Sequence, residues 1–235
     1  MRQVILDTET TGLNPNDGHR VIEIGCIELI DRRITESTFH VYVNPDRLVD
    51  EKAIQVHGIT NEFLLDKPNF ADIADEFIDF IRGSELIAHN APFDVEFLNA
   101  ELKRIPNAPM LSDLILGGEA FDTYQFARLK RPGKRNSLDA LCRDYRIDST
   151  ERSLHGALLD AELLTKVYLA MTREQSKIFA NDSENATNSL FESVHKLKAL
   201  KRSPRKITPT QDETANHQAF IQHMRREAKP LWDEQ

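Results

Sequence analysis

The sequence contains few cysteines: Cys26 and Cys142 are the only two among its 235 residues. They form no CxxC pair and no metal-ligand spacing, so neither a disulfide framework nor a zinc centre is expected. Such low cysteine use is typical of the reducing cytoplasm, which is the location we predict. No apolar run approaches the roughly 18 residues that a membrane helix needs, and Asp7 leaves no room for the apolar region of a signal peptide. We therefore expect no membrane partner.

The sequence is also poor in glycine and proline, with 9 and 10 residues, which excludes collagen-like and low-complexity chains. It has no excess of positive charge: the formal net charge is −8, which by itself argues against nucleic acid as a partner. Two basic stretches, 128–135 and 196–206, weaken that objection, although such runs are ordinarily solvated loops or linkers. An acidic site that binds divalent metal ions would also make the total negative without excluding DNA.

Apolar patterning predicts an α/β fold for residues 1–180. Short apolar or β-branched runs predict five strands, and spacings of three and four predict four helices. Three strands followed by alternating helices and strands give a mixed sheet flanked by helices. The predicted strands are 4–6, 21–30, 34–43, 86–88 and 120–121, and the predicted helices are 70–81, 92–104, 137–145 and 157–171.

The composition changes near residue 180. Residues 181–189 are polar and have no period, and apolar residues stay sparse beyond them. A segment of roughly 55 residues with this composition cannot bury a core of its own. We predict a flexible C-terminal tail that folds on a partner, with one helix near 213–228 because Thr210 and Glu213 have the spacing of a capping box.

Two carboxylates follow the first apolar strand. Alternate residues on a strand point to the same side, so Asp7 and Glu9 lie together. Two neighbouring anions repel each other and need compensation, which a divalent cation provides. Carboxylate oxygens suit Mg²⁺ or Mn²⁺. A DxE pattern alone is weak evidence for a metal site.

Two further acidic positions lie at element boundaries. Asp94 falls in the first turn of a helix, where a carboxylate is also favoured by the helix dipole alone. Asp160 lies on a helix that His155 precedes. Gly156 indicates that His155 sits in the loop before that helix, from where it reaches over a site that Asp160 lines. A surface capping residue is the simpler interpretation of such a histidine.

The combination of these positions is more specific than any one of them. Residues 7–12 (DTETTG), 89–94 (HNAPFD) and 155–160 (HGALLD) resemble the three motifs of the DnaQ-like 3′–5′ exonucleases, in the histidine-bearing version called DEDDh. The similarity spans residues 1 to about 172. Within that family, the sequence is most similar to the proofreading exonucleases of bacterial DNA polymerase III.

This resemblance implies a ribonuclease-H-like fold with a five-stranded mixed sheet flanked by helices. It also implies two divalent metal ions, Mg²⁺ or Mn²⁺, held by Asp7, Glu9, Asp94 and Asp160. Two metal ions can stabilise the attacking and leaving oxygens of a phosphodiester, which is an independent reason to expect a pair. His155 is then suited to be the general base that deprotonates the attacking water.

The family resemblance also implies contacts with the terminal nucleotide. Thr8 and Thr10 flank the first acidic pair, and Leu13 is predicted to wedge between bases. His57 lies in a loop similar to the one that closes the nucleotide pocket, although a turn residue beside Gly58 is an equal interpretation. The complete predicted substrate-binding set is Asp7, Thr8, Glu9, Thr10, Leu13, His57 and Asp160.

The pattern of residues 175–235 predicts interactions with bacterial replication proteins. Gln175, Ile178 and Phe179 are similar to the short sliding-clamp-binding peptides of bacterial replication proteins. We predict an exonuclease domain at 1–174, a clamp-binding peptide at 175–180 and a polymerase-binding tail at 181–235. The predicted partners are a DNA 3′ end, the polymerase III alpha subunit through the tail, the beta sliding clamp and a small accessory subunit.

The sequence therefore predicts a proofreading 3′–5′ DNA exonuclease. A free-standing RNA exonuclease of the same superfamily is an alternative, but such an enzyme has no evident use for residues 175–235. A non-catalytic adaptor between polymerase and clamp is a second alternative. The complete acidic set argues against an adaptor, because clustered carboxylates are unfavourable when no metal binds them.

Overall fold

A computed structural model describes residues 1–150 and 154–179 of the protein. Within these residues the chain forms five strands and eight α-helices. The strands are β1 (Arg2–Thr10), β2 (Val21–Ile30), β3 (Arg33–Tyr42), β4 (Glu85–Ala88) and β5 (Phe121–Asp122). The helices are α1 (Glu51–His57), α2 (Asn61–Leu64), α3 (Phe70–Ile81), α4 (Ala91–Leu102), α5 (Leu111–Leu114), α6 (Thr123–Lys130), α7 (Leu138–Tyr145) and α8 (Ala157–Phe179).

The strands form one mixed sheet in the order β3-β2-β1-β4-β5. The β1–β2 and β2–β3 pairs are antiparallel, whereas β1–β4 and β4–β5 are parallel. The first three strands are a meander with short connections, and the parallel strands are reached through helical crossovers. The predicted five-stranded mixed sheet is therefore confirmed.

Helices cover both faces of the sheet because the central strands are apolar on both sides. Along β1, Leu6 packs in a cluster with Phe77 of α3 and Leu98 of α4. Ile5 packs on the opposite face with Leu141 of α7 and Leu164 of α8. The two faces of one strand thus bury two separate cores, and β1 runs between them to the site.

The longer elements lie close to where the sequence predicts them. The amphipathic helix predicted at 70–81 is α3, with its apolar positions buried. The helix predicted at 157–171 continues to Phe179, so the backbone of residues 175–179 of the predicted clamp-binding peptide is helical, and residue 180 lies outside the described residues. The predicted helix at 213–228 and the tail 181–235 lie outside the described residues. Among the described residues, no helix combines the length and apolarity that crossing a bilayer requires.

A crevice opens where β1 passes the end of β4. The β1–β4 pairing covers only Gln3–Ile5 of β1, so the second half of that strand extends beyond its parallel neighbour. The helix α4 starts directly after β4, and α8 packs against β1 and β2. Ligands of open α/β sheets bind at such carboxyl ends of parallel strands.

Candidate active site

The alternation of β1 sends its polar side chains to both faces of the sheet. Ile5 belongs to the core beneath α7 and α8, whereas Leu6 belongs to the core beneath α3 and α4. Since residues two apart share a face, Asp7 and Glu9 lie on the α8 side and Thr8 on the α4 side. The end of this strand therefore presents carboxylates between two helices.

Asp94 lies on the α4 side and is buried, with 3% of its surface exposed. The Thr8 hydroxyl donates a hydrogen bond of 2.7 Å to Asp94 Oδ1. Burial raises the pKa of Asp94 to about 7, and the hydrogen bond from Thr8 only partly opposes that effect. A carboxyl group with this pKa is a poor solitary anion at neutral pH, and a bound cation would favour its ionised form.

The turn between β4 and α4 brings Asp94 to this position. Asn90 adopts a left-handed conformation (φ 65°, ψ 49°), which asparagine tolerates better than most residues. Its backbone N–H donates to Asp122 Oδ1 at 3.0 Å. Pro92 then lies in the first turn of the helix, where its missing N–H costs nothing. Strand and helix are thereby joined within two residues, and Asp94 falls in the first helical turn.

His89 is fixed at the same turn. Its Nδ1 lies 2.9 Å from Thr123 Oγ1, and that hydroxyl donates to the carbonyl of Ala88 at 3.0 Å. Because a hydroxyl has one proton to donate, Thr123 accepts from His89, which places the ring proton on Nδ1. His89 is therefore held at the wall of the site by the hydrogen bond that its Nδ1 donates to Thr123.

His155 and Asp160 approach from the α8 side. The backbone N–H of His155 donates a hydrogen bond of 3.1 Å to the carbonyl of Val56, and this bond holds the loop before α8. His155 Nδ1 lies 3.2 Å from Asp160 Oδ2; the histidine side chain is 44% exposed and the aspartate side chain is 4% exposed. As the sequence predicts, His155 precedes the helix and reaches over the aspartate.

These side chains surround one cavity of about 260 Å³. All four predicted metal-binding carboxylates and the predicted base line it, although the motifs that carry them are far apart in sequence. The lining residues are Asp7, Thr8, Glu9, His89, Asn90, Phe93, Asp94, Ser137, Leu138, Asp139, His155 and Asp160.

The donor chemistry of the cavity fits a hard divalent cation. Glu9, His155 and Asp160 each offer one ligand atom, and these atoms lie within 4.8 Å of one another. Asp7 and Asp94 add carboxylate oxygens to the same cavity. A set dominated by carboxylates suits Mg²⁺ or Mn²⁺, because these hard cations prefer oxygen ligands.

Three residues predicted to contact the nucleotide do not line this cavity. The Thr10 hydroxyl donates to the carbonyl of Gly12 at 2.6 Å, and Leu13 is 85% exposed in the following loop. His57 is buried at the end of α1, and its Nδ1 accepts from the N–H of Ile59 at 3.0 Å. Burial lowers the pKa of His57, and its ring stabilises the turn through this hydrogen bond.

One wall of the cavity is not predicted by any sequence motif. Ser137, Leu138 and Asp139 line it at the start of α7. The Ser137 side chain caps that helix by accepting from the N–H of Ala140. The only signal in the sequence is the predicted helix start, since no acidic motif includes Asp139.

The basic stretch 128–135 leads directly into this wall. Two of its cations are engaged with the protein: Lys130 Nζ donates to the carbonyl of Met171 at 2.6 Å, and Arg131 pairs with Asp144. The other cations, Arg128, Lys134 and Arg135, are exposed. The stretch is therefore partly structural, and two of its exposed cations, Lys134 and Arg135, lie within three residues of Ser137 in sequence.

Comparison with known proteins shows the family. A family model described as an exonuclease matches residues 4–168. The chain belongs to this exonuclease family. It is 48% identical to DNA polymerase III subunit epsilon of Escherichia coli, over 94% of this chain and 92% of that protein. It is 46% identical to the same subunit of Pasteurella multocida, over 99% of this chain and 93% of that protein.

Solved structures of other exonucleases have a similar fold. Exonuclease X in complex with 5′-overhanging duplex DNA is 28% identical, with a TM-score of 0.57, over 74% of this chain and 93% of that one. The nuclease domain of 3′hExo, a DEDDh family member bound to rAMP, is 21% identical, with a TM-score of 0.61, over 74% of this chain and 92% of that one. The predicted ribonuclease-H-like fold and the predicted DEDDh 3′–5′ exonuclease similar to epsilon subunits are confirmed.

Proposed function

We propose that this exonuclease removes mispaired nucleotides from the 3′ end of a DNA primer during bacterial replication. The observation that carries the proposal is the meeting of three distant acidic motifs and His155 in one cavity. Similarity to epsilon subunits along almost the whole chain supports DNA as the substrate.

In this proposal Asp7, Glu9, Asp94 and Asp160 hold two divalent metal ions, Mg²⁺ or Mn²⁺. Bound there, the ions supply positive charge to the attacking and leaving oxygens of the phosphodiester. The raised pKa of Asp94 supports this role, because a cation bound beside the carboxyl group would favour its ionised form. Thr8 orients that carboxyl group through its hydrogen bond.

His155 accepts the proton of the attacking water in this proposal. Its Nδ1 faces Asp160 Oδ2 at 3.2 Å, and a carboxylate at that distance favours the proton on Nδ1. The Nε2 atom is then the basic atom of the ring. The side chain is 44% exposed, so that water can reach it.

The substrate strand must approach a cavity rich in negative charge. Arg128, Lys134 and Arg135 are exposed in the stretch of chain that precedes Ser137, and we place the phosphates upstream of the scissile bond along them. Contacts of this kind do not depend on sequence and weaken with salt. We retain Thr8, Thr10, Leu13 and His57 as proposed contacts of the terminal nucleotide.

We further propose that the enzyme is cytoplasmic and that it binds other replication proteins. These partners are proposed from its similarity to epsilon subunits and from residues 175–235. The tail 181–235 binds the polymerase III alpha subunit, and Gln175, Ile178 and Phe179 bind the beta sliding clamp. A small accessory subunit is a further proposed partner. The homology to epsilon subunits supports partners within the replication machinery.

Degradation assays with the purified full chain test this function. The substrates are a DNA primer with a 3′ mismatch, the matched primer and a single RNA strand, each with Mg²⁺ or with EDTA. We expect rapid loss of the mismatched DNA nucleotide with Mg²⁺ and none with EDTA. Faster degradation of RNA would favour the free-standing RNA exonuclease, and no degradation of any substrate would favour the adaptor.

A further inference from the structure

Two residues of β2 lie directly opposite the carboxylates of β1. In the antiparallel register, Gly25 faces Asp7 and Glu23 faces Glu9. Directly opposite residues share a face of the sheet, so both β2 positions point toward α8. The size and chemistry of the side chains at positions 23 and 25 therefore determine how closely α8 approaches the proposed metal ligands.

Gly25 lets the start of α8 lie directly on the sheet. A Cβ atom at this position would overlap the backbone of Ala157 and Leu158, well inside van der Waals contact. Backbone atoms of a helix cannot move aside as the end of a flexible side chain can. The first turn of α8 can therefore occupy its observed position only because residue 25 has no side chain.

Glu23 holds that first turn. The residue is only 2% exposed, and its Oε2 accepts a hydrogen bond of 3.1 Å from the N–H of Ala157. The preceding residue is Gly156, which has no side chain to cap the helix. The cap is supplied from the neighbouring strand instead, and it satisfies a helix N–H that would otherwise be buried without a partner.

Glu23 is itself fixed from β3. Its Oε1 lies 2.7 Å from His40 Nε2, so both carboxylate oxygens have defined partners. The carboxylate therefore links the sheet to the first turn of α8 through two hydrogen bonds. Glu23 does not line the cavity and does not contact the site of chemistry.

We propose that Glu23 is a positioning residue that fixes Asp160 and His155 relative to Glu9. The bonded residue, Ala157, lies between His155 and Asp160 in the chain. Holding its N–H keeps the three donor groups within 4.8 Å of one another. This inference rests on the proposed metal-dependent hydrolysis, and it assigns to Glu23 control of metal affinity and turnover.

Three variants of the full chain separate positioning from simple stabilisation. Glu23→Ala removes the cap, whereas Glu23→Gln keeps an oxygen that accepts from Ala157 and an amide that donates to His40. Glu28→Ala is the matched control. Glu28 is a buried glutamate of the same strand, but its partners are Arg2 and Thr35, away from α8.

The measurements are Mn²⁺ affinity by calorimetry without substrate, kcat and KM on single-stranded DNA, and amide exchange of residues 157–160. All are made well below the melting temperature of each variant. In Glu23→Ala we expect Mn²⁺ affinity and kcat each to fall about 10–100-fold, the usual effect of losing a residue that orients metal ligands. KM should change little, and the first-turn amides of α8 should exchange faster.

Glu23→Gln should restore most of the affinity and turnover, and Glu28→Ala should match the wild type in everything except melting temperature. A folded Glu23→Ala protein with wild-type Mn²⁺ affinity and kcat would overturn the proposal. Equal losses in Glu23→Gln and Glu23→Ala would also overturn it, since charge and not the cap would then matter. If the wild type binds Mn²⁺ but degrades no nucleic acid, the proposed function fails while the affinity comparison still tests Glu23.

Discussion

Asp94 couples folding to pH when no metal is bound. Its pKa is raised to about 7 by burial, whereas an unfolded aspartate titrates near 3.9. Between these values the folded state keeps a proton that the unfolded state releases, so stability falls as pH rises. We expect a loss of roughly 2–3 kcal/mol between pH 5 and pH 8 in EDTA.

Urea unfolding of the wild type and Asp94→Asn at both pH values measures this effect. The asparagine cannot ionise, so the pH dependence should be reduced by that amount. Asp75→Asn, at an exposed position of α3, is the control and should behave as the wild type. The same pH dependence in wild type and Asp94→Asn would show that Asp94 is not the responsible group.

His155→Ala separates a general base from a metal ligand. The geometry allows both, since His155 lies in the same cluster of donor atoms as Glu9 and Asp160. For a base, we expect kcat to fall about 10²–10⁴-fold while Mn²⁺ affinity stays near the wild-type value. The deficit should shrink at high pH, where hydroxide needs no base. A constant deficit at every pH, or a large loss of affinity, would exclude the base assignment.

At the scale of elements, we expect the connection from α6 to α7 both to support the fold and to bind the substrate strand. Lys134→Ala with Arg135→Ala should raise KM for long single strands several-fold and reduce the salt dependence of binding, because phosphate contacts are lost. The kcat should remain unchanged, since neither residue lines the cavity. Kinetics at two salt concentrations measure both effects.

The control for that variant is Lys103→Ala with Arg104→Ala. These exposed cations follow the C-terminal end of α4, whereas Asp94 lies in the first turn of that helix. Their loss removes the same charge without touching the proposed strand path. An equal rise in KM in both double variants would mean that net charge alone governs binding.

The sequence predicts elements well where the pattern completes several periods. The helix at 70–81 and the strand at 21–30 match α3 and β2, because their apolar residues face the core. The short helices α1, α2 and α5 have four to seven residues and complete at most two turns, so periodicity could not reveal them.

The same limit applies to the site. The acidic motifs predicted which carboxylates and which histidine meet in the cavity, because each motif is compact in sequence. Glu23 contacts Ala157, and Asp139 lines the cavity, only because the fold brings distant segments together, so no local pattern marks either residue. The contact of Glu23 with Ala157 depends on the β1–β2 register and on the packing of α8, which only the folded chain defines.

At the scale of the whole molecule, catalysis and recruitment should be separable. Residues 1–181 form one compact unit that contains every predicted metal ligand and His155. We expect a fragment of residues 1–180 to fold and degrade DNA but not to co-elute with the replicative polymerase in gel filtration. Residues 181–235 should bind the polymerase by themselves. Co-elution of the 1–180 fragment as efficient as that of the full chain would contradict the assignment of polymerase binding to the tail.

Asp7→Ala tests the central claim, that four carboxylates assembled at the end of β1 perform metal-dependent hydrolysis. The decisive measurement is degradation of a 3′-mismatched primer by the purified variant with Mg²⁺, beside a thermal unfolding curve in EDTA. The account predicts no detectable nuclease activity, together with metal-free stability equal to or above that of the wild type, since one of several repelling carboxylates is removed. Substantial Mg²⁺-dependent degradation by a folded Asp7→Ala protein would contradict it.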